Sequence, residues 1–336
     1  MNTTYSCHEV ESLNEYIELV ENMTKNNEFT IKKQICIVEE LIDQYAYNDT
    51  MKKYFEAIKD KYCALISNDK KVEYNYFYRG HSSVSYKLIP SVFRGNNGIN
   101  EQYFYHEMIL RCPEHFTNLK QLDKLVKMQH YGCPTRLLDV TSNPLVALYF
   151  ACHSESHSNN KLDGEVIIFG VPQNEILFFD SDRARILSAI ARFNSEDKTE
   201  IYNHTMNQLN DMKFMKKPGG HEYKDAIIEK FYHEISIEIP SFKRNILPRD
   251  LLMNYVIKPN RTNDRIVKQD GAFIICGLSK NEEEAENKIN ALTYDRIIIR
   301  NKSCILKELE ALSINKATLF PEIDKVAEYL IENSNK

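Results

Sequence analysis

The amino-acid sequence predicts an α+β fold, a mixed β-sheet core preceded by a helical N-terminal region. Three observations carry that expectation. Apolar residues recur at three- and four-residue spacing through the first seventy positions. Aromatic and apolar runs then appear at 74–80, 165–171, 271–277 and 294–299. Between those runs the helical patterns are unevenly spaced, unlike a regular βαβ series.

The elements follow in order. His8 to Met23 places Val10, Leu13, Tyr16, Ile17 and Val20 on one helical face, and Phe29 to Tyr45 does the same with Ile31, Ile35, Val38, Leu41 and Ile42. Residues 1–70 thus read as a helical N-terminal region, and 71–336 as the remaining unit. Tyr74 to Gly80 alternates aromatic residues and reads as a strand. Glu101 to Met128 is helical in one or two pieces, punctuated by Gly132 and Pro134. Thr135 to Asp139 is extended. Ser142-Asn143-Pro144 then opens an apolar helix, Leu145 to Cys152, with a capping residue ahead of a proline. A polar loop spans 153–163, followed by the buried-type strand 165–171. Helices are expected at 182–193, 222–232, 249–254, 302–312 and 322–333, strands at 271–277 and 294–299, and the charge run 281–288 is a solvated helix face. Glu234-Ile-Ser-Ile-Glu238 alternates, so as a strand it would present both glutamates on one face.

Composition narrows the function classes. The chain has 336 residues, 43% of them hydrophobic and 27% charged, which excludes a disordered chain, a coiled coil and a collagen-like repeat. A net charge of −5 supplies no field that would draw the chain to nucleic acid or acidic lipid, so neither is an expected partner. No apolar run approaches ~18 residues, the length of a membrane span. The start is polar and then acidic, unlike a signal peptide, and eight cysteines form no Cys-x-x-Cys pair. The expectation is a reducing cytoplasm with free thiols. No P-loop, G-x-G-x-x-G, G-x-S-x-G or H-E-x-x-H motif occurs. His153 and His157 are spaced four apart without a third ligand nearby, so no metal site is expected.

Two segments are unusual: Phe77-Tyr-Arg79-Gly-His81 with Phe93-Arg94, and the string from Gln129 to Ala151. Charged residues end apolar elements at Arg79 and at Arg136–Asp139, which is costly unless the charge meets a partner or a ligand. One reading is an internal salt bridge, Arg136 with Asp139 or Arg79 with Asp139, that pins a loop. The other is an anion site, since an arginine fork grips phosphate with two prongs and a helix start at Ser142–Asn143 offers backbone N–H groups. Thr141 and Ser142 are first of all capping residues, and substrate contacts second. His130 ends a helix, where it either caps or serves as an acid, base or substrate contact. His81 follows the Arg-Gly turn.

At these residues the chain resembles the FRG-domain family. Phe77-Tyr78-Arg79-Gly80 matches the motif behind the family's name, and 129–151 resembles its Gln-His-x-Gly-x-Pro-Thr-Arg-x-x-Asp string with the apolar helix that follows. Arg265-Ile-Val-Lys-Gln269-Asp-Gly271-Ala-Phe273 and Ala317-Thr-Leu-Phe-Pro321 look like later family segments, so the likeness spans roughly 72–331. Some members accompany bacterial toxin or phage-defence systems, which implies a similar context. A weaker resemblance is to the Arg–Ser–Glu layout of ADP-ribosyltransferases. It implies that Arg79 clamps NAD, and that Thr141 and Ser142 stand for the hydroxyl strand. The Glu-x-Glu of those enzymes is missing; Arg265 and Gln269 stand there instead, and Glu234 and Glu238 lie upstream. A carboxylate is what favours a developing ribosyl cation.

The sequence thus nominates Arg79, His81, Arg136, Asp139, Thr141 and Ser142 as ligand contacts and His130, Gln269 and Glu238 as catalytic candidates, with no metal and no certain cofactor. NAD or ADP-ribose is the implied ligand of an ADP-ribosyltransferase-like or NAD-cleaving enzyme. The alternative is a non-catalytic nucleotide sensor or a protein-interaction module. The expected partners are a nucleotide or small-molecule anion, or a protein. The site reading requires Arg79 and the 130–142 segment to line one open cavity.

Overall fold

In a computed structural model the described residues are 8–67, 72–95, 99–153, 162–209, 226–242 and 246–334. Eight strands form one mixed sheet: β1 (His8–Val10), β2 (Tyr74–His81), β3 (Leu137–Thr141), β4 (Gly164–Pro172), β5 (Leu177–Phe178), β6 (Tyr255–Lys258), β7 (Gly271–Ile275) and β8 (Thr293–Ile299). Their order is β1-β8-β4-β2-β3-β7-β6-β5. The two outer pairs, β1 with β8 and β5 with β6, are parallel, and the inner pairs are antiparallel. The fold is α+β, with helices against both faces.

Alternation along β4 shows why the sheet is buried on both sides. Val166 and Ile168 pack with the helix Pro144–Cys152, while Ile167, Phe169 and Val171 pack with Leu88 and Ile289 on the opposite face. A larger apolar cluster joins the helices Asn27–Gln44, Asp49–Ser67, Gln121–His130, Asp182–Ala189, Ser195–Leu209 and Ala226–Glu238 to Leu137, Ile257 and Ile275 of the sheet. The N-terminal helices therefore share the core of the later residues, and Gln34 donates from the first of these helices to the Gly170 carbonyl at 2.7 Å.

The Arg-Gly motif has a packing reason. A Cβ on Gly80 would meet the Ala147 carbonyl oxygen at 2.0 Å, and one on Gly164 would meet the Ala151 oxygen at 2.3 Å. Two side-chain-free positions on neighbouring strands let the helix Pro144–Cys152 lie directly on the sheet. Its start matches the sequence reading: the Asn143 side chain accepts from the Leu145 N–H at 3.0 Å, with Pro144 at the first turn.

Several elements differ from expectation. His8–Val10 is a strand, not the first turn of a helix; three residues are too few to show alternation, and the backbone pairs with β8 instead. The segment 101–128 breaks into three helices, Glu101–Arg111, Pro113–Phe116 and Gln121–His130, the first break falling at Pro113. Glu234 to Glu238 is helical, the last turn of Ala226–Glu238, because Ile227, Ile228, Phe231, Tyr232 and Ile235 continue a helical stripe into the core. The charge run 281–288 is not a solvated face: in the helix Glu282–Asn290, Glu284 and Lys288 are buried and pair with each other at 2.6 Å, because Ala285 and Ile289 turn that side toward the core. The short strands β5 and β6 and the helix Ser195–Leu209 had no sequence expectation. The expected helix start at 222–225 and most of the loop 153–163 lie outside the described residues.

Candidate functional site

The sheet and its helices enclose a cleft with two chambers. The inner one, about 250 Å³, is walled by Arg79, Gln129, His130, Asp139, Thr141 and Gln269 together with apolar side chains such as Val140, Val146 and Phe273. The outer groove, about 770 Å³, carries Lys87, Arg94, Lys316 and Lys325, with Tyr86 and Phe320 as aromatic faces. Arg79, Gly80, Phe150 and Arg265 border both. Five of the nine nominated residues, Arg79, His130, Asp139, Thr141 and Gln269, therefore meet in one cavity, and His81 joins them in the outer groove.

Arg79 stands where the chambers join. It ends the apolar run of β2, and its Nε–H donates to His81 Nε2 at 2.9 Å while an Nη1 N–H donates to the Asp139 carbonyl at 2.7 Å. The Asp139 carboxylate lies 3.9 Å from Nη1. These bonds engage two of the five guanidinium N–H groups. Burial lowers the Arg79 pKa, Asp139 opposes that, and neighbouring Arg94 adds to it. Two guanidiniums in one cleft attract an anion that would relieve their repulsion.

Asp139 sits on β3 with its side chain largely exposed to the chamber. Gln129 Nε2 donates to its carboxylate at 2.8 Å, and Gln129 Oε1 accepts from the Thr135 hydroxyl at 2.6 Å. Among the described residues Asp139 supplies the only carboxylate that lines the inner chamber. His130 ends the helix Gln121–His130, with Nε2 3.6 Å from Glu322. Burial and then Arg265 lower its pKa, against Glu322, so its ring is neutral at pH 7.

The loop after β3 is structural first. Thr141 donates to the Gln269 carbonyl at 2.7 Å and accepts from the Asn143 N–H at 2.9 Å. Ser142 turns away from the cavity, its N–H and hydroxyl both aimed at the Asp270 carbonyl (3.1 and 3.4 Å). Asp270 holds that carbonyl from a left-handed backbone conformation, φ 45°. The N–H groups of Ser142, Asn143 and Leu145 are thus all engaged and Pro144 has none, so the expected anion clamp at this helix start is not formed. Gln269 contributes wall and scaffold, its Nε2 donating to the Leu319 carbonyl at 3.0 Å.

Besides Ser142, two nominated residues lie away from the cleft. Arg136 is sealed in the interior, 2% exposed. It donates to Glu101 at 2.9 and 2.5 Å and to the Cys276 carbonyl at 2.9 Å, and Lys198 completes the group at 2.7 Å from Glu101. Burial alone would raise the Glu101 pKa, but Arg136 and Lys198 overcome it and hold it at about 2. Of the two readings weighed for Arg136, the internal ion pair is the one the geometry forms, though with Glu101 rather than Asp139. Glu238 is on a helix that does not border the cleft; it accepts from the Gln121 N–H at 2.9 Å and faces Arg185 at 3.8 Å, while Glu234 pairs with Arg192 at 2.8 Å.

Other parts of the wall were not nominated. Arg94 and Arg265 stand in segments the sequence singled out, but their meeting with Lys316 and Lys325 joins four separate segments, which no local pattern reveals. Glu165 was legible in principle, as a carboxylate heading an otherwise apolar strand. Among the described residues no cluster of His, Cys, Asp and Glu is arranged to hold a metal, and no helix is long and apolar enough to cross a membrane. The seven described cysteines are free thiols.

Residues 74–160 match the family model of the FRG domain. That stretch contains β2, Arg79, Gln129, His130, Asp139 and the helix laid across Gly80, so it supplies most of the inner chamber. No curated protein and no solved structure matches the chain.

Proposed function

We propose, for a chain that carries an FRG domain, that the two-chambered cleft binds an anionic nucleotide of the NAD or ADP-ribose class. One observation carries the reading: a half-committed arginine stands between a chamber that pairs apolar walls with one carboxylate and a groove lined by several cations. Arg79 retains N–H groups for a phosphate, the bidentate partner that its planar fork fits best. The outer groove adds Arg94 and Arg265, with Lys87, Lys316 and Lys325 that also pair with Glu282, Glu328 and Glu332, and among the described residues Glu282 is the one acid in its lining. The inner chamber takes a flat aromatic ring against Val140, Val146, Phe150 and Phe273, with the Asp139 carboxylate at its wall.

In the catalytic version, resembling ADP-ribosyl transfer, the bond between ribose C1′ and the nicotinamide nitrogen breaks, and nicotinamide leaves with the bonding pair. An acceptor oxygen or nitrogen bonds to C1′ and releases its proton. Asp139 is the carboxylate placed to favour the intervening cation, and neutral His130 is the group able to take the proton. A sensor that binds without turnover is the second reading. It is favoured by the Gln129 bond that already engages Asp139, and by the missing Glu-x-Glu.

Incubation with NAD separates the two. Nicotinamide release that disappears in Arg79→Ala and Asp139→Asn supports the enzyme. Thermal stabilisation by NAD or ADP-ribose without release supports the sensor. No response to any nucleotide rejects both and leaves a protein-interaction module.

A further inference from the structure

We propose that Glu165 is a positioning residue for the cleft, acting through the His81 ring to fix the Arg79 guanidinium toward the ligand. Three strands build the arrangement. Arg79 and His81 are two apart on β2, so their side chains leave the same face of the sheet. Glu165 of β4 is the direct cross-strand partner of His81. His81 and Glu165 are both buried, and the Glu165 carboxylate lies 3.0 Å from His81 Nδ1. From β8, Arg296 donates to the same carboxylate at 3.1 and 3.3 Å.

Proton accounting gives the chain a direction. The Nε of an arginine is always a donor, so His81 Nε2, 2.9 Å away, must be a bare acceptor. The ring proton then resides on Nδ1, where only an acceptor is tolerated, and Glu165 supplies it. A proton on Nε2 would face the Arg79 N–H and push the guanidinium off the Asp139 carbonyl. The charged groups around the ring are Arg79, Glu165 and Arg296, and Tyr86 packs edge-on with its ring centroid 6.0 Å away. Burial, reinforced by the two arginines, pushes the His81 pKa down to about 4 against the pull of Glu165. The ring is therefore neutral throughout the physiological range, and the Arg79 donor on one nitrogen and the Glu165 acceptor on the other hold the same tautomer. The line Arg296–Glu165–His81–Arg79 begins outside the cleft and ends at its anion-gripping group. The effect on binding rests on the nucleotide reading above; the ring geometry does not.

The test is nitrogen NMR of the His81 ring in the full chain, with ADP-ribose titration beside it. Wild type is expected to show a neutral ring protonated on Nδ1 from about pH 5.5 to about pH 8. Glu165→Gln, whose amide can donate as well as accept, removes the acceptor-only partner of Nδ1 and is expected to add a fraction of Nε2–H tautomer to the Nδ1–H form that Arg79 favours. It is also expected to bind ADP-ribose about tenfold more weakly, the scale of one lost charge-assisted bond. Arg296→Gln leaves the His81–Glu165 contact in place and is expected to keep the wild-type tautomer. A merely structural Glu165, paired only to Arg296, predicts equal losses in the two variants. An Nε2–H or titrating ring in wild type, or an unchanged tautomer in Glu165→Gln, overturns the proposal. If Glu165→Gln does not fold, the wild-type ring spectrum still decides it. If ADP-ribose does not bind wild type, the nucleotide reading fails, while the ring spectrum separately decides the geometry.

Discussion

Arg79 and Arg136 look alike in the sequence and end in opposite circumstances. Each closes or opens an apolar strand, and each sits in one of the two unusual motifs. Arg136 lies in a dry junction where Glu101, Lys198 and the Cys276 carbonyl match it. Arg79 stands at an opening, held by a neutral histidine and one backbone carbonyl, with an aspartate only at the edge of ion-pair distance. The contrast teaches that a charge at the end of an apolar element announces a partner without saying whether the partner is internal. What decides is whether carboxylates arrive from elsewhere in the fold. The helix Glu101–Arg111 delivers one to Arg136. To Arg79 the second motif delivers a carbonyl, leaving N–H groups unengaged.

The difference is easiest to break at the sealed end. Arg136→Ala leaves the buried Glu101 carboxylate with Lys198 alone and the Cys276 carbonyl without its donor, and should cost about 3–5 kcal/mol of stability, read by urea unfolding. A loss below about 1 kcal/mol would mean that the junction is open to water.

An acid titration probes the same junction. The folded-state pKa of Glu101, at about 2, lies below its unfolded value. The group therefore stabilises the fold above about pH 4.5 and loses that contribution as pH falls toward 2, a change of roughly 3 kcal/mol. Glu101→Gln should remove this part of the acid limb. His81 adds an earlier decline, from about pH 6.5 to about 4, because the unfolded chain takes up a proton that the buried ring refuses. Matching acid limbs in wild type and Glu101→Gln would contradict the assignment.

At the open end, Arg79→Ala should change unfolding by less than about 1 kcal/mol while weakening anion binding tenfold to a hundredfold, the scale of charge-assisted bonds. Gly80→Ala sharpens the contrast differently. Its methyl meets the Ala147 carbonyl, so helix and strand must separate at a cost of about 1–3 kcal/mol, detectable as a lowered Tm. The smallest effect belongs to Lys325→Ala. That exposed cation is already paired with Glu328, at 3.0 Å, and its loss should weaken ADP-ribose binding by no more than about threefold, seen by calorimetry.

Local chemistry made much of the fold legible. The aromatic alternation of β2, the apolar run of β4 and the Asn143-Pro144 helix start all announced themselves, since neighbouring residues determine each of them. The inner chamber was legible to the extent that the two motifs supply it. Elements that rest on distant pairing were not: β1 exists because β8 offers an edge, and the Glu234–Glu238 stretch mimics a strand until the apolar stripe before it is followed. The same limit explains Arg136, whose partner lies 35 positions away, and the outer groove, whose cations come from separate segments.

Every role proposed for the cleft depends on its holding an anionic nucleotide at Arg79. Calorimetric titration of ADP-ribose into wild type and Arg79→Ala, with unfolding midpoints recorded on the same samples, measures this. The prediction is saturable binding to wild type, strongly weakened in a variant that unfolds where wild type does. No binding to wild type, or equal binding to both, would contradict it.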